Sequence, residues 1–235
     1  MKPIKGLAII FFMMLLLTGC NTLSKNCPPN TIIEWVDMVK INDIRYQHDS
    51  LEVPEELEIK TGKKLGEVSY EMADDACTNH KMKNGDAAFL GKGTPIYEVE
   101  GYLSSFMVYA GNKVYMVDEN KSAETVNELY PIEGKVKNII FQSTYDGALI
   151  HTFSKDSKEA FLREWLSLKL FDPMKISSEK LSDHERVFIG IELDNGIIFR
   201  ETYYTDKNVF HFGAKGTKQL QQVVKQELQM AEKKK

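Results

Sequence analysis

Cysteine is scarce, with three in 235 residues, and no two of them form a Cys-x-x-Cys pair. That excludes the thiolate frameworks of structural zinc sites and dithiol redox motifs. The five histidines, His48, His80, His151, His184 and His211, include no His-x-x-x-His pair. Asp183-His184-Glu185 sets three ligand types in a row, but neighbours along a chain point apart. No calcium-loop signature is present, so no metal and no cofactor is expected. The chain has no Gly-x-Ser-x-Gly elbow and no Gly-rich strand-to-helix turn, which removes the common serine-hydrolase and nucleotide-binding signatures. Basic residues are outnumbered, 30 against 34 acidic, and no basic stripe is visible, so nucleic acid is not an expected partner. The apolar run Leu7–Leu17 has eleven residues. As a helix it would reach about 17 Å, well short of the roughly 30 Å hydrocarbon core, so it makes no comfortable permanent span.

What is present at the start is an export pattern. Lys2 and Lys5 precede the apolar run, and the small residues Thr18 and Gly19 follow it, directly before Cys20. Leu17-Thr18-Gly19-Cys20 resembles the bacterial lipobox. The resemblance implies a signal peptide over 1–19, cleavage between Gly19 and Cys20, and a diacylglyceryl group on the Cys20 thiol as membrane anchor. Two acyl chains hold a protein stably where one gives only marginal binding. Removing residues 1–19, with their two lysines and no acid, leaves 28 basic and 34 acidic residues and a net charge of −6.

Residues 20–30, polar and proline-bearing, read as a tether. Beyond Cys20 the cysteines are Cys27 and Cys77, an even pair in an oxidising compartment. They form either a disulfide that pins the polar stretch around Cys77 or two free thiols.

Residues 31–125 read as a mostly-β module. Val39 and Ile41, then Ile44 and Tyr46, change phase across Asn42-Asp43, which predicts a bulge or turn there. Residues 49–63, acidic with Pro54 and Gly62, read as loop. Val68, Tyr70 and Met72 alternate with polar residues as a half-buried strand, and Ile96–Tyr102 reads as another. Phe106–Ala110 and Lys113–Val117 flank Gly111-Asn112, a hairpin with a primed turn. Residues 119–132 read as a junction holding one short helical turn.

Residues 133–232 have a different rhythm: strands Val136–Ser143 and Ala148–Phe153, a helix with Asp156 and Glu159 at capping-box spacing, strands from Val187, Ile197 and Val209, and a last helix capped by Thr217. The fold class is therefore α+β, an N-terminal mostly-β module followed by an antiparallel sheet with two helices on one face (ββαβββα).

Few residues offer chemistry. Cys77 and His80 are three apart, close enough for a thiolate pair that a disulfide would abolish. Glu55-Glu56, Asp74-Asp75, and Glu98 with Glu100 are paired acids, and Glu98 and Glu100, repelling on one strand face, need a cation or a solvated face, ordinarily a lysine or water. His211 alternates with Phe210 and Phe212 and points away from the core if those two face it, while His151, in phase with Leu149 and Phe153, reads as a packed core or sheet-surface histidine rather than a ligand. Tyr97, Tyr102, Tyr109, Tyr115, Tyr203 and Tyr204 lie on strands. Half-buried strand tyrosines are the ordinary outcome, and an exposed ligand-binding row is the alternative.

Leu17-Thr-Gly-Cys20, Leu65-Gly-Glu-Val-Ser-Tyr70, Asn84-Gly-Asp-Ala87 and Gly93-Thr-Pro-Ile-Tyr-Glu-Val-Glu-Gly-Tyr102 together resemble the small uncharacterised surface lipoproteins of Bacillus and its relatives. The resemblance implies a lipid-anchored body on the outer face of the cytoplasmic membrane and brings no catalytic residue with it. The expected function is a non-enzymatic binding or accessory module of the cell envelope, its partners the membrane through Cys20 and a protein or cell-wall ligand. The alternative is an envelope hydrolase acting on wall polymer or peptide through scattered carboxylates and His184 or His80. A transporter's substrate-binding component would need two α/β lobes, which this order of elements does not offer.

Overall fold

The computed structural model describes residues 34–48, 51–172 and 185–233. The expected signal peptide and tether, with Gly19, Cys20, Cys27 and His184, lie outside the described residues. Trp35–Asp75 and Lys81–Lys235 form one compact unit. In the second unit, His80 N–H bonds the Cys77 carbonyl at 2.9 Å, and Cys77 is disulfide-bonded.

The chain is α+β. The first sheet takes its strands from the N-terminal half. They are β1 (Met38–Ile41), β2 (Ile44–Gln47), β4 (Thr61–Glu67), β5 (Tyr70–Glu71), β6 (Asp86–Ala87), β7 (Pro95–Val99), β8 (Met107–Ala110) and β9 (Lys113–Glu119), in the spatial order β4-β7-β8-β9-β2-β1-β6-β5. Two tight hairpins set its register. Asn42 and Asp43 have φ of 52° and 62°, and Gly111 and Asn112 have 55° and 63°. Positive φ at both central residues is the primed turn whose twist matches the flanking strands. The first turn sets Val39 opposite Tyr46 and Ile41 opposite Ile44, so both apolar pairs reach one face. At Gly111 a side chain would also be excluded by space, since a Cβ would lie 2.5 Å from Leu90 Cδ2.

Residues 49–63 are not all loop. Leu51–Glu52 (β3) pairs antiparallel with β13 (Ile198–Tyr204) of the second sheet, and β4 begins at Thr61. An alternation search misses both, because β3 has two residues and β4 carries Thr-Gly-Lys-Lys on a mostly exposed edge. The strand read over Val68–Met72 is shorter than expected. β5 ends at Glu71, and Met72–Asp75 is one helical turn.

The second sheet runs β11-β10-β12-β13-β14-β15, with β3 added on β13. Its strands are β10 (Val136–Gln142), β11 (Leu149–Thr152), β12 (Arg186–Leu193), β13 (Ile198–Tyr204), β14 (Val209–Phe210) and β15 (Ala214–Lys215). Between the sheets' sequences lies α1 (Val126–Leu129), where Thr125 and Glu128 cap each other's backbone N–H groups. α2 (Lys155–Leu166) starts two residues earlier than its acid spacing predicts. Its N-cap is Ser154, whose Oγ accepts from Ser157 N–H, rather than Asp156. Either oxygen can cap a helix, and Ser154 is fixed by a second bond described below. α3 (Lys218–Glu232) is capped by Thr217 as expected.

One hydrophobic cluster contains residues of both sheets and both long helices. Phe106, ahead of β8, meets Phe199 of β13 edge-on at 5.8 Å. Trp165 of α2 stacks on Tyr130 at 5.5 Å and also meets Phe199, Phe210 and Phe212. Each such ring is worth about 1.5–3 kcal/mol when fully buried. Gly190 of β12 is required by proximity, because a Cβ there would lie 2.7 Å from Ile140 Cγ1. Among the described residues no helix is long and apolar enough to cross a membrane.

Candidate functional site

A cleft of about 680 Å³ has walls from both sheets: Arg45 and Gln47 of β2, Met116–Glu119 of β9, and Phe188 and Arg200–Thr202 of β12 and β13. Tyr130, Asp172, His211 and Phe212 complete it. A register shift in the β2–β9 pairing builds one rim. Arg45 faces Glu119 while Tyr46 faces Val117, so Asp118 is an extra residue in β9. Both acids therefore reach the same guanidinium. Arg45 Nε donates to Asp118 Oδ2 at 2.6 Å and Nη1 to Glu119 Oε2 at 2.8 Å. On the other wall the Arg200 guanidinium lies over the Phe188 ring, 5.1 Å from its centroid, with Nη2 at 3.8 Å from Glu52 Oε1.

Glu201 is the unusual group. It shares the inward phase of β13 with Phe199 and Tyr203, both fully buried, and is itself only 6 % exposed. Burial pushes its carboxyl up to about 8. A hydrogen bond with the Tyr130 phenol opposes the shift, and the charge of Asp118 adds to it. At neutral pH most of this carboxyl is protonated. Burial, with the charge of Glu201 next, also holds the Tyr130 phenol well above its usual range. A neutral acid beside an ion-paired acid, in a cleft with apolar walls at Met116, Phe188 and Phe212, is a concentration of perturbed polar groups of the kind found at ligand and active sites.

A second polar cluster ties α3 to the edge of the second sheet. His151 Nε2 lies 2.5 Å from Glu227 Oε2, and Ser154 Oγ donates to Glu227 Oε1 at 3.0 Å. Both His151 and Glu227 are buried. Burial alone would raise the Glu227 carboxyl. The bonds from Ser157, His151 and Ser154 outweigh it and hold it low. With the Glu227 carboxyl held low, Nε2–H is the donor of this bond, and Nδ1 of His151 has no partner among the described residues. Ser154 bonds the carboxylate rather than the imidazole, so this is not a nucleophile–base pair.

The residues singled out by sequence scatter. His211 is exposed, as its phase predicts, and lines the cleft, its Nδ1 3.4 Å from Tyr204 Oη. His151 is packed, the first of the two places its phase allowed, although its in-phase neighbour Leu149 is exposed. His48 Nδ1 bonds the Val114 carbonyl at 2.8 Å. The disulfide at Cys77 removes the thiolate pair with His80. Glu55 and Glu56 are exposed, and Glu98 Oε2 accepts from Lys63 N–H at 3.3 Å. Among the tyrosines, Tyr115, Tyr203 and Tyr204 are buried, and Tyr97, Tyr102 and Tyr109 half-buried, which is the ordinary outcome rather than a binding row. Among the described residues no group of three or more His, Cys, Asp or Glu could hold a metal. Apart from His211, the cleft's polar residues were missed. The signal was present in Phe199-x-Glu201-x-Tyr203, an acid in the apolar phase of a strand.

The fold and cleft together define an α+β protein with a mixed-charge cleft between two sheets. No family model, no curated protein and no solved structure matches the chain.

Proposed function

We propose that the chain is a lipid-anchored protein of the bacterial cell envelope, held on the outer face of the cytoplasmic membrane through a diacylglyceryl group on Cys20, and that its inter-sheet cleft binds a small ligand. The observation that carries the binding reading is the cleft itself: about 680 Å³, apolar walls, a prearranged Arg45–Asp118–Glu119 rim and the buried Glu201. Few, fixed polar groups on an apolar wall are what a small-molecule site needs for orientation. The anchor reading rests on Leu17-Thr18-Gly19-Cys20 and the short apolar run ahead of it.

Two experiments test this. Cys20→Ser should abolish lipid labelling and release the body from sedimenting membranes. Processing and sedimentation like the parent would refute the anchor. Lipidated protein purified from its native membranes should carry a small molecule or wall fragment, detectable by mass spectrometry, that Arg200→Ala fails to retain. Recovery of nothing by the parent chain would count against the binding reading.

A second reading, envelope hydrolysis, draws support from Glu201. A neutral carboxyl beside Asp118, which is ion-paired to Arg45, is the pairing a general acid and its partner base require. Cleavage of wall polymer or peptide by the parent and not by Glu201→Gln would put this reading first. Parent protein without such cleavage would remove it.

A further inference from the structure

Among the described residues, the Glu201 carboxyl of the cleft has no basic side chain paired with it. Four carboxyls line it, Asp118, Glu119, Asp172 and Glu201, against two guanidiniums. Neither guanidinium serves Glu201. Arg45 is engaged by Asp118 and Glu119 at 2.5–2.8 Å, and Arg200 lies over Phe188 and reaches toward Glu52. The hydrogen-bond partner of Glu201 is the neutral Tyr130 phenol. A metal ion is a poor counterpart, because among the described residues no three ligand-type side chains converge. An organic cation needs less, namely one carboxylate to receive its N–H groups and an apolar or aromatic wall for its carbon frame. The cleft offers both, with Met116, Phe188 and Phe212 beside Glu201.

We propose that the cleft takes an organic cation, its ammonium or guanidinium group seated against Glu201. This rests on reading the cleft as a ligand site. Binding is coupled to a proton: Glu201–COOH gives its proton to solvent, and the resulting carboxylate pairs with the ligand's charge. The groups facing Glu201 bear on this coupling in both directions. Asp118 and Glu119 from β9 and Asp172 favour the incoming cation. Arg45 from β2, Arg200 from β13 and any proton on His211 oppose it, while Tyr130 hydrogen-bonds the anion.

The test uses the full lipidated chain in detergent micelles and three probes of one shape: 2-phenylethylguanidinium, its neutral isostere 2-phenylethylurea, and the anion 3-phenylpropionate. The guanidinium stays charged throughout, so any pH dependence belongs to the protein. With the carboxyl at about 8, its ionised share grows from about one-tenth at pH 7 to about nine-tenths at pH 9. Calorimetry should show guanidinium affinity rising roughly tenfold over that range, a preference over the urea of at least about tenfold, and proton release in buffers of different ionisation enthalpy. Glu201→Gln, isosteric with the protonated acid, should lose both the preference and the pH rise. Equal or tighter binding of the urea or the anion would overturn the cation proposal and leave the cleft as a ligand site. So would a preference that survives in Glu201→Gln. Binding of none of the three at millimolar concentration would also overturn it, and the ligand-site reading then stands or falls on the co-purification above.

Discussion

Replacing Glu201 with glutamine should make the protein more stable in alkali than the parent, by an amount that grows with pH. The unfolded chain ionises this carboxyl near its ordinary value of 4.5, and the folded chain only near 8. Below 4.5 both states hold the proton and the group contributes nothing. Between 4.5 and 8 the folded state holds a proton that unfolding releases, so parent stability falls as pH rises. Above 8 the loss is complete. The gap between 4.5 and about 8 corresponds to about 5 kcal/mol at roughly 1.4 kcal/mol per pH unit, a large part of the 5–15 kcal/mol typical of a whole domain. Glutamine has the same shape and does not titrate. Urea unfolding at pH 5, 7 and 9, followed by the fluorescence of the fully buried Trp165, should give curves nearly level at pH 5, with the variant ahead by several kcal/mol at pH 9. Parallel pH profiles for parent and variant would refute the reasoning, because they would mean that Glu201 ionises in the fold as easily as in water.

Glu227→Ala should cost about 3 kcal/mol at pH 7, since it strands the buried His151 and removes the acceptor of Ser154. Because the folded carboxyl is held low, that deficit should shrink as pH falls below about 4.5, and a deficit constant down to pH 2 would contradict the assignment. Gly190→Ala should destabilise by about 1–3 kcal/mol in thermal melts through overpacking against Ile140, and an unchanged melt would show that β10 yields there at no cost. Cys77→Ser should lower stability by about 2–5 kcal/mol under oxidising conditions, and reductant should bring the parent down to the variant. If the two already coincide without reductant, the bridge contributes nothing.

Much of the fold was legible because it is written in local patterns. Gly111-Asn112 needed only its own two residues to announce a turn, and Ile189, Ile191 and Leu193 announced a buried strand face by alternation. The α2 start slipped because Ser154 and Asp156 are both good caps. The choice was made by Glu227, 73 residues further on, which bonds Ser154. β3 stayed hidden for the same kind of reason: two residues have no period, and their partner β13 lies more than 140 positions away. The cleft was least legible of all. Arg45, Asp118 and Glu201 look like surface charges in sequence, and only the pairing of β2 with β9 and the approach of the two sheets gather them around one space. Glu201 alone carried a local sign, an acid where its strand places Phe199 and Tyr203 inward.

The small strand β3 also decides how this polypeptide can be cut. Leu51 and Glu52 complete the edge of β13 beside Ile198 and Phe199, and Glu52 accepts from Gln142 across the same border at 2.8 Å. A fragment beginning near residue 133 would bare that edge and Phe199 to solvent, inviting another chain to pair there. Expressed apart, the two stretches should therefore clump, and mixed from denaturant they should find each other.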